Sequence, residues 1–360
     1  TCALPILKNF SKSILKWYDA NKRGLPWRET KNPYFIWLSE VILQQTRVEQ
    51  GRAYYLKFIK QFPTVASLAR AKEDEVLKLW QGLGYYSRGR NLHAAAQQIV
   101  KINPSAKNYF PSSYDELIRL KGVGEYTAAA IASIAFGEAK AVVDGNVFRV
   151  LSRVFGIASA IDTASGKKEF QRLAENLLDK NHPGDHNQAL MELGALVCKP
   201  KNPNCNTCPC SRFCVAHKGA NPQDFPVKLK KTKVRTRYFY YFIFKSAGKI
   251  LLRKRTNAKD IWMGLHDFPL LESDTQFQTD VILKKAMREF SLTKNDFVIK
   301  KVSSSHKHVL SHQILFATFF HLQLKKSFKK QMKDVIVVEE NKIAEFALPR
   351  LIDRYLHGSD

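Results

Sequence analysis

Long apolar runs are missing from this chain: none of its 360 residues falls in a stretch of about 18 or more uncharged apolar positions, the minimum for a membrane-crossing helix. A helical membrane span is therefore excluded. The opening TCALPILKNFSKSILKWY has early lysines and an amphipathic rhythm in place of a signal core followed by a cleavage site, so a cytoplasmic protein is expected. Cysteine is almost absent outside one window. Five of the six lie between 198 and 214, in CKPKNPNCNTCPCSRFC, and Cys2 stands alone. A disulfide framework would spread its cysteines along the chain, so the clustering points to a metal. Acid is also short, with 32 Asp and Glu against 58 Lys and Arg, a formal +26 spread over the whole length. Self-repulsion on that scale in one folded chain implies a polyanionic partner, nucleic acid first. No internal repeat or low-complexity segment is present.

What is present divides in two. From residue 5 to about 197, apolar residues recur at steps of three and four, as in FIWLSEVILQQTRV, EDEVLKLWQGL and KKEFQRLAENLLD, which predicts helices. Pro and Gly punctuate them at NPYF, QFPT, INPSAKNYFPSS and NHPGD. The segment 228 to 237 carries six basic residues and no acid, a linker by composition and a second hold on a nucleic acid. Beyond it the period changes: RYFYYFIFKSAGKILLRKR predicts two strands around a turn, VIKKVSSS and ILFATFFHLQL further strands, and DVILKKAMREF a helix. A separate α/β domain is expected from about Tyr238. At 360 residues the chain is long enough for two cores.

Three stretches carry chemistry. In AVVDGNVFRV, Asp144 has the position of a helix cap, because Asp-Gly-Asn is turn chemistry and a helical pattern follows; capping alone accounts for it, and so does capping combined with catalysis. In LKGVGEYTA, Gly122, Val123 and Gly124 form a tight turn between two helical patterns, and such a turn lets a phosphate approach the N–H groups of the second helix. In FIWLSEVIL, Glu40 is surrounded by apolar residues. It is either a structural carboxylate paired with an arginine or a desolvated acid with a raised pKa. Cys198, Cys205, Cys208 and Cys214 follow the spacing C-x6-C-x2-C-x5-C, which suits a four-thiolate zinc site as well as an iron–sulfur cluster. Cys210, one proline from Cys208, is badly placed to share that metal.

The segments LKGVGEYTA and VVDGNVFRV resemble the helix-hairpin-helix and catalytic-aspartate region of the DNA glycosylase superfamily, the hairpin covering about 113 to 136. The cysteine spacing is similar to that superfamily's [4Fe-4S] loop. WLSEVILQQTRVEQ, LPWR at 25 to 28 and GLGYYSRGRNLHAAAQQ at 82 to 98 resemble the MutY-type adenine DNA glycosylases. The resemblance implies an all-α glycosylase region over 1 to 220 and a monofunctional enzyme of base excision repair. Its substrate would be adenine opposite 8-oxoguanine or G in double-stranded DNA, acted on by a monomer associated with the bacterial nucleoid. It implies a [4Fe-4S] cluster on Cys198, Cys205, Cys208 and Cys214. Glu40 would be the acid and Asp144 the carboxylate facing a cationic sugar, in the two-carboxylate logic of glycoside hydrolysis. Tyr126 and Asn146 would support them. Trp27 and Arg28 would line an adenine pocket, Gln44, Gln45 and Tyr85 would fill the gap left by an extruded base, and Lys121, with the hairpin glycines, would meet a phosphate. For Tyr85 and Tyr86 core packing stands as the other reading. Tyr126 occupies the position where bifunctional relatives carry a nucleophilic lysine, so strand cleavage through a Schiff base is not expected.

Residues 238 to 360, beyond a linker at 221 to 237, resemble the Nudix-like domain of the same family, most clearly in RKRTNAKDIWMGLHDFPLLE. DVILKKAMREF has lysines where a Nudix hydrolase needs acids to hold Mg²⁺, so this domain is expected to read 8-oxoguanine and not to hydrolyse. Ser311 and His312, in HKHVLSHQ, are its candidate readers. The family's loop has Phe where this chain has Leu310.

Overall fold

The computed structural model describes residues 3–104, 109–219, 221–229, 234–326 and 335–358. Cys2 and positions 230–233 of the basic segment lie outside the described residues. The chain divides into two compact units, Thr1–Arg70 with Asn91–Lys230, and Ala71–Arg90 with Lys231–Asp360.

The first unit is helical. It is built from α1 (Ala3–Asn21), α2 (Pro33–Leu43), α3 (Val48–Gln61) and α4 (Val65–Arg70). After α5 (Glu73–Trp80), which clusters with the second unit, α6 (Ser87–Ile102) returns to it. Then come α7 (Tyr114–Leu117), α8 (Glu125–Phe136), α9 (Gly145–Phe155), α10 (Ala164–Leu177), α11 (Pro183–Leu196) and α12 (Val215–Gly219). Local chemistry sets the starts. Asn32 accepts the N–H of Tyr34 at 3.0 Å ahead of a proline at the first position of α2, Ser113 and Glu116 form a reciprocal capping box on α7, and Asp144 caps α9. Gly137 and Gly156 end α8 and α9 at φ of 70° and 67°, a left-handed conformation that glycine adopts without steric cost. The core joins Phe10, Ile14 and Tyr18 of α1 to Val147, Val150, Leu151 and Val154 of α9, Phe170 and Ala174 of α10, and Leu190 and Leu193 of α11. Burial of each such side chain contributes about 1.5–3 kcal/mol. Among the described residues no helix is long and apolar enough to cross a membrane.

The second unit is a mixed sheet with helices. Its strands are β1 (Arg235–Ser246), β2 (Lys249–Lys254), β3 (His266–Asp267), β4 (Leu270–Ser273), β5 (Phe297–Val302), β6 (His306–Val309), β7 (Gln313–Leu324) and β8 (Val335–Glu339), with α13 (Thr279–Glu289) and α14 (Arg350–His357). The main path runs β3-β2-β1-β7-β5, while β4 pairs with β1, β6 with β7 and β8 with β2. β1 and β7 are parallel over the register Arg235↔Gln313 to Lys245↔Gln323; the other pairs are antiparallel. The unbroken apolar run of β1 has a direct cause: both its faces are covered. Phe239, Tyr241 and Ile243 join a core with Leu348, Leu351 and Ile352. Tyr240, Phe242 and Phe244 join another with Ile282 and Ala286 of α13. His306–Val309, expected in a loop, is a strand, and the turn begins only at Leu310, whose N–H donates to the Gln313 carbonyl at 2.8 Å. α5 belongs here because its side chains meet the C-terminal residues: Lys254 pairs with Asp74 at 2.7 Å, Lys78 donates to the Phe346 carbonyl at 3.0 Å, and a Cβ on Gly264 would stand 2.9 Å from Leu77.

Candidate active site

Glu40 sits on α2, a helix buried along most of its length, because that segment has too few polar positions to form a solvated face. It is 9 % exposed, and the hydroxyl of Tyr126, the second residue of α8, donates to its Oε2 at 2.6 Å. The same hydroxyl is 3.5 Å from Met191 Sδ. The pairing with arginine that a structural glutamate would need is made instead by Glu192. Arg23 and Arg28 each grip that carboxylate through two nitrogens, at 2.7–2.8 Å and 2.8–3.0 Å. Burial drives Glu192 upward, but these donors outweigh it and bring its pKa down to about 2.

Asp144 closes the first turn of α9: one oxygen accepts the Val147 N–H at 2.8 Å and the other accepts Asn146 Nδ2 at 2.7 Å. Asn146 is held in turn by Arg149, which donates to its Oδ1 at 2.8 Å, to the Gly194 carbonyl at 2.8 Å and to the Cys198 carbonyl at 2.6 Å. The close approach is possible because residue 194 is glycine; a Cβ there would lie 2.6 Å from Asn146 Cβ.

One hollow of about 600 Å³ takes in Trp27, Arg28, Glu40, Gln44, Gln45, Tyr126, Asp144 and Asn146, all of them candidates from the sequence, and Met191 and Glu192, which were not. Burial, augmented by the charge of Asp144, raises Glu40 to about 7 against the pull of the Tyr126 hydrogen bond and Arg28. Burial raises Asp144 as well, opposed by its hydrogen bonds from Val147 and Asn146 and by Arg149. Asp144 is thus less comfortably ionised than a polar capped position would suggest, yet it keeps donors that Glu40 lacks. The arrangement offers a proton at neutral pH from Glu40 and a carboxylate from Asp144 in the same space. At its rim Gln45 is exposed with φ of 56°, a left-handed conformation uncommon for a residue with a Cβ. Gln44 donates to Thr127 Oγ1 at 3.2 Å.

The turn of the hairpin, Lys121 to Gly124, does not line this hollow. Gly122 has φ of 74°, and a Cβ on it would stand 2.5 Å from Asn91, so the turn requires glycine. Val123 is buried beneath it, and Gly124 begins α8 without any side-chain cap, which leaves the first-turn amides directed at solvent or an anion. Lys121 is exposed; its own N–H is taken by Gln98 Oε1 at 2.7 Å.

Tyr85, Ser311 and His312 come together in the second unit. They line a hollow of about 420 Å³ with Trp262, His308, Leu310 and Arg350. Tyr85 has φ of 45°, is exposed, and hydrogen-bonds through its hydroxyl to Ser311 Oγ. Tyr86 is buried at 5 % exposure, so the packing reading holds for one tyrosine of the pair and not for the other. Leu310 is half-buried against the core of this unit.

Cys198, Cys205, Cys208 and Cys214 line one narrow cavity with Arg153. Arg153 is 2 % exposed, donates to Cys198 Sγ at 3.5 Å and holds the carbonyls of Lys199 and Pro200 at 2.6 and 3.1 Å. Cys210 is fully buried and outside that lining. Among the described residues no three Cys, His, Asp or Glu side chains form a single-ion site. Four thiols facing one cavity, with a buried guanidinium beside them, fit a larger four-thiolate group. Glu192, Arg149 and Arg153 had escaped the sequence reasoning. An arginine in an amphipathic helix carries no local signal of where its guanidinium will end.

Residues 38–180 match the family of HhH-GPD superfamily base excision DNA repair proteins, and residues 239–358 match the NUDIX domain. The adenine DNA glycosylase of Buchnera aphidicola subsp. Schizaphis graminum is 34 % identical over 350 residues, 96 % of this chain and 97 % of that protein. The adenine DNA glycosylase of Buchnera aphidicola subsp. Baizongia pistaciae is 38 % identical over 317 residues, 85 % of this chain and 84 % of that protein. Among solved structures, a thermostable thymine-DNA glycosylase superposes on 60 % of this chain and 99 % of its own with a TM-score of 0.55 and 29 % identity. With the two-carboxylate hollow in a helical unit and a Nudix-type sheet domain behind it in the sequence, the chain belongs to the adenine DNA glycosylase family.

Proposed function

We propose that the protein hydrolyses the N-glycosidic bond of adenine in duplex DNA, where adenine stands opposite 8-oxoguanine or G. The observation that carries this reading is the buried Glu40, held by the Tyr126 hydroxyl, in one hollow with the capped Asp144. Glu40, with its pKa at about 7, protonates the departing base so that it leaves as a neutral heterocycle. Asp144 stands as the carboxylate beside the cationic sugar, its position fixed by Asn146 and the α9 amide. The hollow is large enough for an extruded base, and Trp27 and Arg28 form part of its wall. Gln45 and Tyr85, both exposed and both held at positive φ, occupy the space left in the duplex. The hairpin amides and Lys121 hold a phosphate, and Ser311 and His312 read the partner base from the Nudix-like region, 238 to 360.

Cys198, Cys205, Cys208 and Cys214 are the residues to hold the [4Fe-4S] cluster. When bound, the cluster ties four points of the 198–214 segment into one fixed loop. The protein acts as a monomer at the DNA of the bacterial nucleoid.

The test is release of free adenine under single-turnover conditions from four duplexes carrying A opposite 8-oxoguanine, G, C and T. Release is expected from the first two, fastest from the first, with no covalent adduct after borohydride, since Tyr126 supplies no amine. Intact duplexes with all four partners would overturn the reading.

A further inference from the structure

A second hollow of the helical unit, about 580 Å³, shares Tyr126, Val143 and Phe148 with the catalytic one. Its outer wall is cationic. Lys140 comes from the segment between α8 and α9, and Lys167, Lys168 and Arg172 come from α10. Packing turns Lys168 and Arg172 outward: Phe170, Ala174 and Leu177 are buried, and three such positions at steps of four and three commit the opposite face of the helix to solvent, while Lys167, in the first turn, is exposed beside the buried face. The start of the helix is fixed by Thr163, whose Oγ1 accepts the Gly166 N–H at 3.1 Å. The acids in the lining of the hollow are Glu125 and Glu175, and Glu175 is already an acceptor for Gln171 at 3.1 Å. Lys140 stands 3.8 Å from Glu138 and 4.6 Å from the centre of the Tyr114 ring. For Lys167, Lys168 and Arg172 no ion pair occurs among the described residues.

We propose that this groove is a phosphodiester-binding track for the DNA strand that continues past the extruded nucleotide, with Lys167, Lys168 and Arg172 as its phosphate contacts. The proposal rests on the reading of the first hollow as a base pocket. A nucleotide drawn into a pocket stays tethered by phosphodiesters on both sides, so the strand must run on along an adjoining surface, and this groove adjoins it through Tyr126 and Phe148. The spacing agrees: from Lys167 to Arg172 the helix rises about 7.5 Å, room for two successive phosphates of one strand, which in a duplex are offset by about 3.4 Å along its axis and lie further apart through space. Phosphate oxygens are also the chemistry that an Arg fork and two exposed Lys heads recognise.

Lys167→Ala/Lys168→Ala/Arg172→Ala in the full chain tests the track on a mismatch-free duplex, because the phosphate contribution to affinity is independent of sequence. A groove result and an adenine result are thereby obtained separately. The magnitude of the slope of log K against log salt should fall by about 2, since the two phosphates spanned by the three side chains contribute about 0.9 each. The charge-keeping variant Lys167→Arg/Lys168→Arg/Arg172→Lys should restore it. An unchanged slope in the alanine variant, with the wild-type thermal unfolding profile, overturns the proposal. So does tight, saturable binding of inorganic pyrophosphate that depends on these three residues while duplex affinity does not, for then the groove serves a small anion. Should the triple variant fold poorly, Lys168→Gln alone should lower the slope by about 1, and no change there overturns the proposal equally.

Discussion

Buried carboxylates are treated in opposite ways in the two halves of the molecule. In the sheet unit they are bound by arginines. Asp267, fully buried, accepts from Arg253 at 3.2 Å and Arg255 at 2.8 Å, and Asp260 accepts from Arg237 at 2.7 and 3.0 Å and from Arg255 at 2.6 Å. In the hollow of the helical unit Glu40 has a tyrosine hydroxyl, and Asp144 has an amide and an asparagine. A guanidinium at contact distance favours the charged form of a carboxylate: it brings Asp260 below the ordinary value, whereas at Asp267 complete burial outweighs the pull of Arg253 and Arg255 and holds the carboxyl above it; a neutral donor orients a carboxylate with a weaker pull on its proton. Glu192 shows that the helical unit can make the first kind, with two arginines on one carboxylate. The absence of such a pair at Glu40 and Asp144 is thus a property of the hollow, not of helical folds.

The largest effect should come from removing the Glu40 and Asp144 carboxyls. Glu40→Gln and Asp144→Asn keep size and much of the hydrogen bonding, so each should fold and bind duplex nearly normally, yet slow adenine release by about 10²–10⁴-fold, the usual range for a general acid or an electrostatic stabiliser. Single-turnover base release on A opposite 8-oxoguanine is the measurement. More than a few per cent of the wild-type rate in either would sink the two-carboxylate assignment.

The counterpart in the sheet unit is Asp267→Ala. It strands two arginines, one of them buried, and should cost about 3–5 kcal/mol of stability while leaving the release rate per folded molecule of a non-discriminating A opposite G substrate almost unchanged. Denaturant unfolding followed by active-site titration separates the two quantities. A loss of rate without loss of stability would erase the contrast between the halves.

Tyr126→Phe sharpens it from the other side. Burial holds Glu40 up at about 7, and the Tyr126 hydroxyl pulls it down by stabilising the ionised form. The acid works while protonated, so the wild-type rate should fall tenfold per pH unit once pH exceeds about 7. Without the hydroxyl the folded pKa rises further, and the alkaline limb should move upward by about 1–2 units, the worth of a hydrogen bond to a charged group at 1.5–3 kcal/mol. A pH–rate profile that moves downward, or stays, would mean that Tyr126 does not bear on the proton of Glu40.

How much of this could be read from residues alone follows the distance between partners. Glu40 was visible because a charge interrupts an apolar helical run, and Asp144 because Asp-Gly-Asn opens a helix; both signals are local. β1 was visible as a strand ahead of a turn, whereas its two-sided burial and its parallel pairing with β7 were not. Arg23 and Arg28 meet Glu192 across 169 and 164 residues, and Lys78 reaches the Phe346 carbonyl across 268; no periodicity reports such pairs, so the ion-paired glutamate and the clustering of α5 with the sheet unit stayed hidden. Arg149 is intermediate. Its bond to Asn146 spans three residues and could have been guessed from helical spacing, but its bond to the Cys198 carbonyl spans 49. Tyr126 and the Ser311–His312 pair carried no local signal of their own and came from family resemblance.

The smallest effect concerns discrimination. On the proposed function adenine is a normal base and the error to be detected lies in its partner; 8-oxoguanine differs from guanine by an N7 hydrogen, a donor, and a C8 oxygen, an acceptor. A reader needs an acceptor for the first and a donor for the second, which a serine hydroxyl and a neighbouring N–H supply from one turn. Leu310 to Gln313 is such a turn, closed by a 2.8 Å backbone bond, with Ser311 and His312 exposed at its tip. In the free protein Ser311 Oγ is hydrogen-bonded to the Tyr85 hydroxyl, so engaging a base exchanges one hydrogen bond for another and the net gain is modest. Ser311→Ala with His312→Ala should therefore lower the preference for A opposite 8-oxoguanine over A opposite G by about 1–3 kcal/mol per lost base-edge contact. The release rate on A opposite G should fall much less, because neither residue belongs to the hollow that holds Glu40 and Asp144. Paired affinity and single-turnover measurements on the two duplexes decide it: a double variant with the full wild-type preference would move the reading of the partner base to Tyr85 and Gln45.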